Sequence, residues 1–277
     1  MRTPAENAEL ALLLEVSSTP KPGNVDRDRE YPDLRFEHFL AGAVGARDGF
    51  DYAAEGATVG ESFRRAIAGM SEQSAGNTQF GAILLMTPLV RAAASGDLSE
   101  SGVESVVAGT TVEDAANFYR AFEYVDVAVD DAPEEISDLD VRRGEGAVPA
   151  VRERGITFGE LMERSAGVDG VAAELAEGCP RTFGVAEEIA AGAGPVTDRT
   201  ARAYLDALAA EVDTFVVTQH GRETAEEVRR RAAGTRDGDE KPEDLAAEFV
   251  ERDINPGTTA DIVAGGLFVA LERGLEV

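Results

Sequence analysis

The chain of 277 residues carries 53 acidic against 26 basic residues, with a formal net charge of −27. Non-specific binding to nucleic acid needs a basic surface, so this composition argues against a nucleic-acid partner. One cysteine excludes an internal disulfide, and two histidines exclude a histidine-rich zinc site within one chain.

Acidic residues are spread through almost every segment, and lysine occurs only at Lys21 and Lys241. A lysine-poor, acid-rich surface resembles that of salt-in halophilic proteins, in which high ionic strength screens self-repulsion. No stretch approaches the ~20 apolar residues of a membrane span, and Glu6 and Glu9 interrupt the N-terminal apolar stretch. We therefore expect a cytoplasmic protein without a membrane partner. Without a linker or a low-complexity block, one domain over residues 1–277 is the expectation.

Helical periodicity dominates the predicted elements. An apolar face predicts a helix from about Pro4 to Ser17, and capping-box spacing predicts helix starts at Thr58 and Thr157. Apolar spacing predicts further helices in the segments 198–217, 225–232 and 245–250. We count nine to twelve helices and no convincing βαβ unit, which predicts an all-α fold, a single multi-helix bundle.

Three segments have weaker helical signals. Val125, Val127 and Val129 alternate as in a strand, but they follow a helical stretch without a turn, which favours a continuing helix. The Gly- and charge-rich segments 137–151 and 234–244 are expected to be mobile, solvated connections.

The first segment with chemical potential is the loop "TPKPGNVD" after the first predicted helix. Its prolines stop the helix, and Gly23 permits a positive φ or a close ligand approach. Lys21 supplies a compact cation suited to phosphate, and Asp26 supplies a carboxylate that can hold Mg²⁺ or accept a proton. Glu15 lies on the last helical turn before the loop. From the loop alone, a surface turn and a binding site are about equally favoured.

The second segment, "SAGNTQFG", precedes a long apolar helical run. Asn77 or Thr78 is a natural N-cap, and simple capping is the better interpretation of this segment taken alone. A helix start beside a glycine can also bind anions, and Gly81 lets a ligand or another backbone come close. Pro88 is expected to kink this helix or to start a new one.

The third segment is "NPGTTADIVAGG" near the C-terminus. Asn255 can cap a helix, and Gly257 leaves room at its start. Asp261 follows one turn later, on a small and apolar face, where a partly buried acid needs a partner such as a metal, a cation or a ligand hydroxyl. We therefore interpret Asp261 as functional. His220 lies at a break between helices, where it can contact a phosphate or a base, although a structural role is commoner for such a histidine.

Four stretches together resemble the ATP:dephospho-CoA triphosphoribosyltransferase (triphosphoribosyl-dephospho-CoA synthase) family. They are, in order, "ALLLEVSSTPKPGNVD", "GNTQFG", "DTFVVTQHG" and "NPGTTADIVAGGLFVAL". The first and last are the most specific, and the resemblance covers nearly the whole chain. It implies an all-α transferase that moves the triphosphoribosyl group of ATP to the 2′-hydroxyl of dephospho-CoA and releases adenine, for synthesis of a prosthetic group.

The resemblance also implies roles for the residues singled out above. Displacement at an anomeric carbon passes through an oxocarbenium-like state that carboxylates stabilise, and a triphosphate needs Mg²⁺, backbone donors and a cation. The hypothesis assigns Glu15, Asp26 and Asp261 to catalysis and to Mg²⁺. The expected substrate and phosphate contacts are Lys21, Gly23, Asn77, Thr78, Gly81, His220, Asn255 and Gly257. The expected partners are small molecules, and self-association as a homo-oligomer is left open.

The sequence departs from the family pattern at Gln79 and Phe80, where bacterial members carry His-Lys. Two polar or basic contacts are replaced, one of them by an aromatic face. Two alternatives therefore stay open beside the main interpretation: a related ribosyl transferase in another cofactor pathway, such as pterin-type synthesis, and a catalytically idle nucleotide-binding protein. A helical assembly protein is a third, less informative alternative.

Overall fold

A computed structural model describes residues 2–129 and 134–277, without the side chains of residues 134–136. Fifteen α-helices form in this part of the chain, and no β-strand does, which confirms the all-α prediction. The first eight helices are α1 Pro4–Ser17, α2 Phe36–Ala54, α3 Val59–Met70, α4 Phe80–Ala94, α5 Glu100–Ala108, α6 Val112–Ala121, α7 Val148–Arg154 and α8 Phe158–Ser165. The other seven are α9 Gly170–Ala176, α10 Pro180–Ala191, α11 Val196–Ala210, α12 Thr214–His220, α13 Arg222–Asp237, α14 Pro242–Glu251 and α15 Gly257–Glu272.

Helix α15 lies at the centre of the packing. All of its residues from Thr258 to Leu271 are buried except Asp261, as expected for a helix that is apolar on every side. It packs against α1, α4, α10 and α11. Gly266 allows the close approach of α10, since a methyl group there would reach 2.5 Å from a Val185 side-chain carbon. Asp261, the acid near the start of this helix, therefore lies among several packed helices.

Most predicted helix starts and ends agree with the structure. The first helix has the predicted bounds, and a capping box at Thr157 opens α8. Thr58 also caps its helix, by accepting a hydrogen bond from the Glu61 N–H. Pro88 was expected to kink or restart a helix; it lies inside α4, so no new helix starts there, and a kink stays a prediction.

The segments with weak signals were predicted less well. Residues 125–129 are not helical, because α6 ends at Ala121 and is followed by turns. Within 137–151, the described chain forms two short 3₁₀-helices and the start of α7, so it is not an extended mobile loop. Much of 234–244 belongs to α13 and α14, with only residues 238–241 connecting them. Helices therefore extend into segments whose amino-acid composition is typical of a loop.

Across the described ranges, none of the helices combines the length and the apolar character needed to cross a membrane.

Candidate active site

The loop that follows α1 buries its lysine. Lys21 has no exposed surface, and its Nζ donates to Glu15 Oε1 and, at 3.1 Å, to Asn24 Oδ1. The ammonium also lies 5.9 Å from the centre of the Tyr204 ring. Burial raises the pKa of Glu15, while the charge of Lys21 acts in the opposite direction. The lysine and the acid thus form one enclosed ion pair at the end of α1.

Asp26 closes the same loop on itself. Its Oδ2 accepts a hydrogen bond from the Lys21 backbone N–H at 3.1 Å, and its Oδ1 accepts one from the Asp28 N–H at 2.8 Å. Arg29 adds an ion pair at 3.5 Å. Both carboxylate oxygens therefore have donors from the loop, and this arrangement fixes the backbone that carries Lys21.

The loop is joined to the segment that leads into α15. Gly23 has a φ of +77°, and a methyl group there would overlap the carbonyl of Ile254. Asn24 Nδ2 donates to Asn255 Oδ1 at 2.9 Å. Asn255 was predicted to cap α15, but Pro256 occupies the cap position, and the Asn255 side chain binds Asn24 instead. Gly23 is thus required for contact between two loops of the chain itself.

Asp261 lies opposite the start of α4. A methyl group at Gly81 would overlap the Asp261 carboxylate, so glycine is what allows the acid to approach this helix. Burial, followed by the nearby charge of Glu15, raises the pKa of Asp261 well above its usual range, and a hydrogen bond from Ala82 opposes the shift. The residue keeps intermediate exposure. Asp261 is therefore a partly exposed acid that keeps its proton to a higher pH than an ordinary aspartic acid.

A second buried acid holds the start of α15. Asp213 Oδ1 accepts from the Val216 N–H at 3.0 Å in α12, and Oδ2 accepts from the Thr259 N–H at 2.8 Å and from its hydroxyl at 2.7 Å. Sequence analysis placed Asp213 in a matching segment without giving it a role. Its position just before a helical run is typical of an N-cap and could have predicted its contact with α12. Its contact with α15 could not be predicted in this way, because Thr259 is distant in sequence.

The start of α4 differs from the prediction. The helix begins at Phe80 with Gln79 in the cap position, while Asn77 Oδ1 accepts from the Phe80 N–H at 3.1 Å. The side-chain amide of Gln79 and the Thr78 hydroxyl are buried without hydrogen-bond partners. Phe80, expected to offer an aromatic face to the site, is 6% exposed and packs on Phe63 with ring centres 5.1 Å apart. Its ring belongs to the core.

Two predicted contact residues have other partners. His220 Nε2 donates to the Asp253 carbonyl at 2.8 Å, which ties the end of α12 to the loop before α15. Gly257 packs closely against Phe215, since a methyl group there would lie 3.2 Å from a carbon of the Phe215 ring. A role for either residue in phosphate binding stays a prediction.

A preassembled metal site is absent from the described residues, since no group of three or more His, Cys, Asp or Glu side chains is placed to hold an ion. Glu15 is paired with Lys21, and Asp26 accepts two N–H donors from its own loop and forms an ion pair with Arg29. The predicted set of Glu15, Asp26 and Asp261 therefore does not fit a shared Mg²⁺ site as arranged.

The fold and the site together describe a helical protein in which the enclosed pair of Lys21 and Glu15 lies at the end of α1, the loop after α1 is joined to the segment before α15, and Asp261 of α15 lies against Gly81 of α4. The family ATP:dephospho-CoA triphosphoribosyl transferase, CitG, matches residues 1–276. The chain belongs to this family.

A solved structure agrees with this assignment. A protein from Archaeoglobus fulgidus, to which the activity of a triphosphoribosyl-dephospho-CoA synthase has been ascribed, is similar with a TM-score of 0.71 and 26% identity. The similarity covers 87% of this chain and 100% of that protein's chain. Among curated proteins, no significant match was found.

Proposed function

We infer that the chain transfers the triphosphoribosyl group of ATP to the 2′-hydroxyl of dephospho-CoA and releases adenine. Membership in the family over residues 1–276 supports this activity. The single structural observation that carries it is the partly exposed acid Asp261, which lies against Gly81 and near Glu15. A transfer that expels adenine as a neutral base is assisted by a protonated acid close to the leaving base.

The reaction exchanges one bond at C1′ of the ATP ribose for another. The oxygen of the acceptor hydroxyl forms a bond to C1′, and the bond between C1′ and N9 of adenine breaks, through a state with positive charge on the ribose. We assign Asp261 as the donor of the proton that the leaving adenine takes up. Its raised pKa supports this role, because the carboxyl keeps its proton to a higher pH than an ordinary aspartic acid.

The proton of the attacking hydroxyl must pass to a base. Glu15 is the better candidate, because the carboxylate oxygens of Asp26 are occupied by N–H donors of its own loop. Lys21 favours the ionised form of Glu15. Asp26 then acts by holding the loop, and the negative charge near the ribose comes from Glu15.

Mg²⁺ is expected with the triphosphate, whose charge a divalent cation neutralises when it is bound. The described acids do not form a ready site, so we assign no protein ligands to the ion. Lys21 is enclosed by Glu15 and Asn24, and its direct contact with a phosphate would require this ion pair to rearrange.

The test is incubation of the purified chain with ATP, Mg²⁺ and dephospho-CoA in high salt, with adenine measured by chromatography and the product by mass. The expected result is adenine release that depends on dephospho-CoA. ATP binding without release would instead favour the catalytically idle alternative. Release with a different acceptor would favour the related ribosyl transferase.

A further inference from the structure

Unpartnered polar atoms are concentrated at one place in the structure. The described residues contain four buried side-chain N or O atoms without a hydrogen-bond partner: Gln79 Nε2 and Oε1, Thr78 Oγ1 and Ser62 Oγ. Three of the four belong to two consecutive residues. A buried polar group without a partner costs about 1–3 kcal/mol, and such groups in a folded protein call for an explanation.

The unpartnered atoms of Thr78 and Gln79 lie between helices α2 and α4. Gln79 is 5% exposed and occupies the cap position of α4, two residues before Gly81, which faces Asp261. A methyl group at Gly42 of α2 would lie 2.5 Å from Thr78 Oγ1 and 3.4 Å from Gln79 Oε1. The amide is therefore held against α2, two residues before the glycine that contacts the acid to which we assigned the proton transfer.

The segment before Gln79 leaves room for movement. Residues 71–79 form turns between α3 and α4, and a methyl group at Gly76 would meet no atom within 4 Å. Access of a ligand to the amide would come from a shift of this segment, which carries Gln79 at the cap of α4.

The chemistry of an amide limits what can satisfy it. A primary amide presents one acceptor and one donor side by side in a plane. A phosphate only accepts hydrogen bonds and leaves Oε1 unpaired, and a metal ion binds Oε1 but not the NH₂ group. The amino group of adenine with the adjacent ring nitrogen offers a matching donor and acceptor, the pairing by which Gln and Asn bind adenine in nucleic acids.

Resting on the proposed function, we propose that Gln79, with the hydroxyl of Thr78 beside it, binds the base edge of an adenine during the transfer. Both ATP and dephospho-CoA carry adenine, and the shared chemistry does not separate them. Gln79 is a specificity-determining residue in this assignment, because it touches the base and not the reacting carbon.

The experiment compares Gln79→Met with a matched control, Gln73→Met. Methionine keeps the length of the side chain and removes both polar atoms of the amide. Gln73 lies six residues earlier, and its amide is satisfied locally by Met70 O, Gly76 O and the Ala75 N–H. Each variant is assayed with ATP, with the ATP analogue that lacks the 6-amino group, and with dephospho-CoA lacking the same group.

In the wild type, one of the two substrates that lack the 6-amino group should show a KM raised roughly tenfold, the effect of one lost hydrogen bond. In Gln79→Met this discrimination should disappear, while Gln73→Met should keep it. Discrimination in the ATP arm identifies the donor's base, and discrimination in the acceptor arm identifies the base of dephospho-CoA. The melting temperature distinguishes the two variants further. It should fall in Gln73→Met, which loses hydrogen bonds, and stay the same or rise in Gln79→Met, which removes buried polar atoms without partners.

Discrimination that persists in Gln79→Met, or is absent from the wild type, would overturn the proposal and leave a buried water as the partner of the amide. If Gln79→Met does not fold, Gln79→Glu serves instead, because it keeps an acceptor and loses the donor. Absence of adenine release by the wild type would contradict the proposed function itself, which is a different result from unchanged discrimination.

Discussion

Asp261 is the residue on which the proposed chemistry depends most. Replacement by asparagine keeps its shape but removes the transferable proton, so kcat should fall by about 10²–10⁴-fold, the usual contribution of a general acid. The measurement is adenine release at saturating substrate from pH 5 to 10. Wild-type activity should decline as pH rises through the raised pKa of Asp261, whereas residual activity of Asp261→Asn should lack this decline.

Stability provides the control for that substitution. The folded chain holds the Asp261 proton more tightly than the unfolded chain does, so ionisation opposes folding, increasingly as pH rises from about 4 until the raised pKa is passed. Asp261→Asn should therefore gain stability relative to the wild type over this interval, in melting curves taken at several pH values. A variant that loses kcat and also unfolds more easily at neutral pH would point to a structural role instead.

Gly81 provides a second test at the residue scale. In Gly81→Ala the added methyl group would overlap the Asp261 carboxylate and force it from its place. We expect kcat to fall by at least tenfold. The loss of stability should be small, because alanine has a helix propensity roughly 1 kcal/mol better than that of glycine and this gain offsets part of the strain. Alanine at Gly184, which has no atom within 4 Å of the added group, is the matched control. Equal activity of both variants would contradict the assigned position of Asp261.

Single residues were predictable from the sequence only where local rules decide. The positive φ that Gly23 permits in its stiff turn and the position of Asp261 on a small, apolar helix face are confirmed, whereas the role of Asp261 in the reaction stays a prediction. The sequence did not predict that Lys21 would be fully enclosed by Glu15 and Asn24, or that Asn255 would bind Asn24 instead of capping. Those contacts depend on the tertiary path of the chain, which residue type and spacing do not determine.

At the scale of elements, buried acids connect helix starts. Besides Asp213, Asp114 accepts from the Thr111 N–H at its own helix start and from the Gly60 N–H of α3. Helix N-termini stabilise negative charge, so each such acid fixes two helices with respect to each other. Helix existence was predictable from periodicity, whereas these long-range caps were not, because their second partner lies 46 or 54 residues away.

The double cap at Asp213 can be tested directly. Asp213→Ala removes the partners of the Val216 and Thr259 N–H groups, and we expect a loss of about 2–4 kcal/mol in the free energy of unfolding, measured with urea. Since Thr259 is two residues before Asp261, kcat should also fall. Thr58→Ala, which removes an exposed single cap, should lose about 1 kcal/mol and keep kcat. Unchanged kcat in Asp213→Ala would show that α15 does not need this contact.

At the scale of the whole molecule, two electrostatic effects oppose each other. Arginines form many ion pairs on the surface, among them Arg231 with Glu240 and Glu248, and salt weakens such exposed pairs. The net charge of −27 repels itself, and salt weakens that repulsion as well. Exposed pairs contribute about 0–1 kcal/mol each, while repulsion acts on every acid at once.

We therefore expect the repulsion to dominate, as the resemblance to halophilic composition implies. The melting temperature should rise as KCl increases from about 0.2 M to about 2 M, over which the Debye length falls from about 7 Å to about 2 Å. A triple variant, Glu104→Gln with Glu153→Gln and Glu163→Gln, removes three exposed charges and should show a smaller rise. Sucrose separates the two causes, because it favours the compact state without screening charge. A melting temperature that falls with KCl, or rises equally in the triple variant, would mean that the ion pairs or general exclusion effects, and not the net charge, determine the response to salt.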